Sequence, residues 1–169
     1  MKKLSLTLIA GAFVVALAAP SAVSAQQSAS ILAQATVQTP LTVTGVSNLN
    51  FGNVFPGVNP TVVLTDAGAG HFQIAGVLNA EVDVSFSSLP ATLTSGGNNI
   101  AIVYTGGWHT LANPAAATAF VPSAGLTERL DAATGELHVY LGGGLTVPGN
   151  QPAGVYQATI TLDAAYTGN

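Results

Sequence analysis

Cysteine is absent from the 169-residue chain, which excludes disulfides, thiolate metal sites and lipid attachment through an N-terminal cysteine. Charge is nearly as scarce: only 6% of the residues are Asp, Glu, Lys or Arg. The three bases are Lys2, Lys3 and Arg129, so no cluster exists that could displace counterions from a nucleic acid or hold an anionic lipid surface. Catalytic signatures are missing as well. There is no Gly-x-Ser-x-Gly motif and no nucleophile beside a plausible base. Asp66 to Gly70 is glycine-rich but lacks the lysine and the helix that a phosphate loop needs. Glu81 and Asp83 fall on the polar side of a predicted strand, which reads as a solvated face rather than an acid–base pair. His71, His109 and His138 show no short metal-ligand spacing, so they read as exposed or capping side chains. The chain is expected to be non-enzymatic, with no cofactor and no metal.

What is present begins with an export signal. Lys2 and Lys3 precede a mostly apolar run from Leu4 to Ala19, Pro20 breaks it, and Val23-Ser24-Ala25 offers small residues for cleavage. Residues 1–25 are therefore expected to be a secretory signal peptide, leaving Gln26 first. No later stretch is apolar and long enough to span a bilayer. The remaining 144 residues keep Arg129 against seven acids, a side-chain charge of −6 with histidine neutral. That length suffices for one domain with a proper core.

Period-two alternation, the mark of strands with one buried face, recurs along the chain. Candidate strands are Thr61–Thr65, His71–Val77, Glu81–Ser88, Ile100–Tyr104, Ala119–Val121, Leu126–Leu130, Glu136–Leu141 and Tyr156–Tyr166. Asp131 to Gly135 reads as a hairpin connection, and Ser95-Gly96-Gly97 and Pro148-Gly149-Asn150 as turns. Asn113 to Ala119 is the one segment after the signal that reads as a turn of helix. Gly142-Gly143-Gly144 marks a bulge or a close backbone approach. About eight short strands at this spacing predict an all-β fold, a single immunoglobulin-like β-sandwich. Trp108, beside Gly106-Gly107, reads either as a cap on the core or as a ligand contact.

Residues 26–43 precede the sandwich of residues 44–169. In that segment Ala29, Ile31, Ala33, Ala35 and Val37 share one face. Two readings are open: an arm that joins another subunit's sheet, or the first strand of the chain's own sandwich. A strand of about twelve residues reaches roughly 40 Å, enough to cross a neighbouring domain. The last candidate strand ends the chain with an edge whose backbone groups need a partner. An extended arm added to another subunit's open edge is β-strand addition, and such a head-to-tail contact builds a filament.

Leu49-Asn50-Phe51-Gly52, Pro56-Gly57, Phe72, Gly76, Leu141-Gly142-Gly143, Leu145-Thr146-Val147 and Pro152-Ala153-Gly154-Val155-Tyr156, in that order, resemble a family of secreted bacterial β domains of unknown function. That family is similar to chaperone–usher pilins and spore coat protein U-like domains. Gly154 and Tyr166 also match the Gly and Tyr, twelve residues apart, of the pilin strand that meets the chaperone. Three residues follow Tyr166 here, where pilins have one, and the pilin disulfide is missing. The resemblance implies a subunit of a bacterial surface fibre, pilus or coat. Its partners would be copies of itself or related subunits, with a periplasmic chaperone and an outer-membrane usher in transit. Its location would be the periplasm, then the cell surface. Ile31, Ala33, Ala35 and Val37 are the candidate donor positions, and Gly154, Tyr156, Ile160, Leu162 and Tyr166 the candidate acceptor strand. The rival reading is a monomeric surface or periplasmic binding module for carbohydrate, with Trp108 as the contact.

Overall fold

The computed structural model describes residues 27–37 and 39–168. The expected signal peptide lies outside the described residues. The chain divides into two units, residues 1–36 and 37–169. In the first unit, residues 27–36 form no strand, and their side chains, Ile31 and Leu32 included, are exposed.

The second unit is built from ten strands: β1 (Thr42–Ser47), β2 (Thr61–Val62), β3 (Gly70–Ala75), β4 (Glu81–Ser88), β5 (Thr92–Ser95), β6 (Asn98–His109), β7 (Thr118–Phe120), β8 (Leu126–Arg129), β9 (Glu136–Thr146) and β10 (Thr161–Tyr166). They form two antiparallel sheets. The larger has the order β1-β3-β9-β6-β5, with β2 beside β9 and β7 beside β6; the smaller has the order β10-β4-β8. This is the two-sheet β-sandwich that the strand spacing predicts. Short 3-10 turns at Pro114–Ala116 and Pro122–Ala124 are the helical elements among the described residues.

Alternation explains which side of each strand is buried. Phe72 and Ile74 on β3, and Leu137, Val139, Leu141 and Leu145 on β9, point inward from the larger sheet, while Val82, Val84 and Leu162 point inward from the smaller one. Ile74, Val82, Val84, Leu130, Leu137, Val139 and Leu162 form the main core between the sheets. Each such side chain contributes about 1.5–3 kcal/mol on full burial.

Two strands run well past their sequence-predicted limits, β2 and β3 end before theirs at Val62 and Ala75, and the last strand starts late. β9 continues through Gly142-Gly143-Gly144 because β2 and β6 pair with it on either side. A Cβ on Gly142 would collide with the carbonyl oxygen of Val62, so glycine there permits the close approach of β2. β6 extends to His109, where it meets β9 residue for residue from Ala101 onward. The last strand begins at Thr161, not Tyr156. Before that point Gln157 pairs its backbone with Thr94 of β5, so the chain crosses from the larger sheet to the smaller one.

Candidate functional site: an apolar groove beside the smaller sheet

The second cluster of buried side chains defines the site. Ile100 and Ile102 of β6, with Leu145 of β9 and Val147 just after that strand, form an apolar floor on the inner face of the larger sheet. No residue of the smaller sheet belongs to this cluster. Loop side chains pack on it instead: Leu49, Phe51 and Val54 from one side, and Tyr156 from the other. Between the two segments, residues 45–56 and 151–160, lies an open groove of about 1010 Å³.

Among the described residues, no charged side chain and no histidine lines the groove. Among the described residues, no group of three or more His, Asp or Glu is placed to hold a metal ion. Backbone hydrogen-bonding capacity, by contrast, is left over. Among the described residues, the backbone groups engaged along the 151–160 wall are the reciprocal pair of Gln157 with Thr94, the turn from Gln151 N–H to Pro148, and the Thr159 and Pro152 carbonyls, which accept from Ser88 Oγ and from the Tyr156 hydroxyl. Gln151 also buries its side-chain amide nitrogen without an acceptor. A buried donor without a partner costs about 1–3 kcal/mol.

The candidate acceptor residues do not form one surface. Tyr156 and Ile160 line the groove, the Tyr156 hydroxyl being held by the Pro152 carbonyl at 2.9 Å. Gly154 lies in the same wall, close to Ser95. Leu162 is buried in the main core. Tyr166 stands at the far end of β10, which is an edge strand of the smaller sheet. Its hydroxyl accepts from Val77 N–H at 2.8 Å and donates to the Thr39 carbonyl at 3.0 Å. Gly76 makes room for this, since a Cβ there would collide with the Tyr166 hydroxyl. Ala33, Ala35 and Val37 are exposed, as Ile31 is. Trp108 packs half-buried against the main core, away from the groove. Sequence reasoning had not joined Ile100, Ile102, Leu145 and Val147 into a site. The signal for it was their shared strand parity opposite a stretch, Leu49 to Pro56, that has apolar side chains but no strand pattern.

The histidines are a separate feature. His71, His138 and His109 lie on the outer face of the larger sheet, His109 directly opposite His138. His71 Nε2 and His138 Nδ1 are 3.0 Å apart, and the His71 ring stacks on Tyr140. Glu136 accepts from the Gln73 amide at 2.7 Å and lies 3.4 Å from His138 Nε2. Burial first, and then His138, hold the His71 pKa below its ordinary value. A folded-state value below the unfolded one means that the unfolded chain binds the proton first as pH falls. The folded chain thus has the full contribution above about pH 6.5 and loses it as pH falls from there toward the depressed value. The urea midpoint is expected to drop between pH 7.5 and 5.5, and His71→Gln to flatten that slope.

Fold and site together define the class: a β-sandwich whose smaller sheet leaves part of the apolar inner face of its partner covered only by loops. The chain matches the family described as Domain of unknown function (DUF4402) over residues 41–166, and it belongs to that family. No match was found among curated proteins or among solved structures. No helix among the described residues is long and apolar enough to cross a membrane.

Proposed function

We propose that the protein is an exported, non-enzymatic structural subunit of a bacterial surface fibre, pilus or coat, assembled by β-strand addition between subunits. The observation that carries this reading is the groove. It has an apolar floor, no charged side chain among the described residues, and a wall with free backbone groups, which are features that an added strand uses. The alternating segment Ala29 to Val37 supplies a strand of the right character, with apolar residues on one side and Ser30, Gln34 and Thr36 on the other. The export signal and the spacing of Gly154 and Tyr166, which is similar to that of chaperone–usher pilins, support a route through the periplasm. There a chaperone would shield the groove and an usher would exchange it for the next subunit.

Light scattering on size-separated protein tests the reading. A chain beginning at Gln26 is expected to form multimers or filaments, and one beginning at Pro40 to remain a monomer. A stable monomer from the first and an unfolded product from the second would show that the segment completes its own sandwich. The fibre reading would then fall in favour of a monomeric binding module.

A further inference from the structure

His71 and His138 meet on the outer face of the larger sheet, and the line of their contact decides what lies between them. Their ring centres are 5.2 Å apart, and the facing nitrogens, His71 Nε2 and His138 Nδ1, are 3.0 Å apart. The difference is about one ring's width, so the two nitrogens point at each other along the line of centres. Two imidazoles on one tetrahedral ion would instead turn toward a common point beside that line. One hydrogen fits between the nitrogens. A second would face the first across the same 3.0 Å.

Glu136 decides which ring supplies that hydrogen. His138 is 4% exposed, and its Nε2 lies 3.4 Å from the Glu136 carboxylate, which Gln73 holds at 2.7 Å. A bare Nε2 would set its lone pair against that carboxylate. In the neutral pair, therefore, the His138 hydrogen stands on Nε2, and its Nδ1 accepts from His71 Nε2–H. One added proton leaves the contact intact, whether it goes to His71 Nδ1 or to His138 with the shared hydrogen reassigned. A second proton puts hydrogens on both facing nitrogens and breaks it. Separated imidazoles take two protons below about pH 6.

The surroundings push the same way. Besides Glu136, β9 brings Tyr140, whose ring stacks on His71 at 4.6 Å. β6 brings His109 opposite His138, and its proton, once taken, sets a further positive charge beside the pair. β1 places Ser47 opposite His71 and has no titratable side chain. Asp66, in the loop before β3, is engaged with Val63 N–H. Burial, and then His138, hold the His71 pKa below its ordinary value. On its other face the same strand borders the groove. Gly70 and Phe72, on either side of His71, line it, as does Ser47. A Cβ on Gly70 would lie 3.3 Å from Leu49 Cβ, so β3 and the 45–56 wall are in close contact there.

We infer that the His71–His138 contact is an acid-sensitive latch on β3, closed by one shared hydrogen and opened by a second proton, which loosens the 45–56 wall of the groove against an added strand. Its effect on the groove rests on the strand-addition reading; the latch itself stands on the contact alone. Opening admits at least one more proton, so the opening constant rises about tenfold per pH unit below about pH 6. The folded chain keeps the latch above that window and loses it as pH falls.

Hydrogen exchange read by mass spectrometry on β3 peptides, in the chain from Gln26, tests the latch. Protection, corrected for the intrinsic pH dependence of exchange, is expected to fall about tenfold from pH 6 to pH 5. β4 in the other sheet is the reference and should hold its protection. His71→Gln should hold protection in β3 as well, because its amide turns either to donate to His138 Nδ1 or to accept from it. Light scattering at the same pH values reads the groove. The concentration for half-assembly should rise several-fold in the unaltered chain and less than about twofold in His71→Gln. Equal loss of protection in β4 would mean that acid unfolds the whole sandwich, and would overturn the latch. So would a fall in β3 protection in both chains alike, or in neither. Protection lost in β3 with assembly unchanged would overturn its hold on the groove. A chain that is monomeric at every pH would remove the strand-addition reading, while exchange in β3 still decides the latch.

Discussion

Chains carrying Ile31→Asp and Val37→Asp together are expected to elute as monomers at concentrations where the unaltered chain is multimeric. Each apolar side chain contributes about 1.5–3 kcal/mol when buried, and each introduced carboxylate adds several kcal/mol for desolvation in a groove with no charged partner. A combined loss of about 5 kcal/mol or more weakens each subunit contact by some three orders of magnitude or more. Light scattering and filament imaging measure the change. The sandwich itself should be indifferent to the substitutions, since both side chains are exposed and belong to neither core cluster. Urea midpoints measured on the double variant and on the chain from Pro40 should therefore agree. Ser30→Asp is the control for charge alone, because Ser30 is on the opposite side of the alternating segment and would keep its carboxylate in water. Multimers that persist in the double variant, or multimers lost equally with Ser30→Asp, would remove Ile31 and Val37 from the contact.

Much of the sandwich is legible in the sequence because alternation is a local signal. Glu81 to Ser88 alternates without interruption, and the strand occupies those same residues. Where neighbours decide the matter, the pattern misleads. Tyr156 to Ile160 continues the alternation of β10, yet Gln157 is held by Thr94 in the other sheet, a contact 63 residues away. The triple glycine after Leu141 looks like an interruption, yet three strands run side by side there. The groove was the least legible feature. Its floor comes from two strands, its walls from two loops, and its emptiness from the length of a sheet to which none of those residues belongs. Nor did spacing reveal the histidine face, because His71 and His138 are 67 residues apart in the chain and meet only across paired strands.

Leu137 and Leu145 offer the second large effect, because one strand carries both on the same inner face under different cover. Leu137 is fully buried between the two sheets, against Val82, Val84 and Leu162 of the smaller one. Leu137→Ala leaves a cavity that surrounding strands cannot close, so it is expected to cost about 2–5 kcal/mol. As small domains have only about 5–15 kcal/mol in hand, the urea midpoint should fall steeply, in the chain from Gln26 and in the chain from Pro40 alike. Leu145 is buried too, but its cover is loop side chains and the groove opens beside it. A site that opens to solvent and relaxes should place Leu145→Ala near the low end of the range, about 2 kcal/mol, in the chain from Pro40. In the assembled protein an added strand would cover the same floor, so Leu145→Ala should also raise the concentration needed for assembly, whereas Leu137→Ala should leave assembly of the folded fraction unchanged. Equal destabilisation by the two substitutions, with no shift in assembly for Leu145→Ala, would mean that the floor is already as well covered in the single chain as the main core is. The groove would then need no strand from a neighbour.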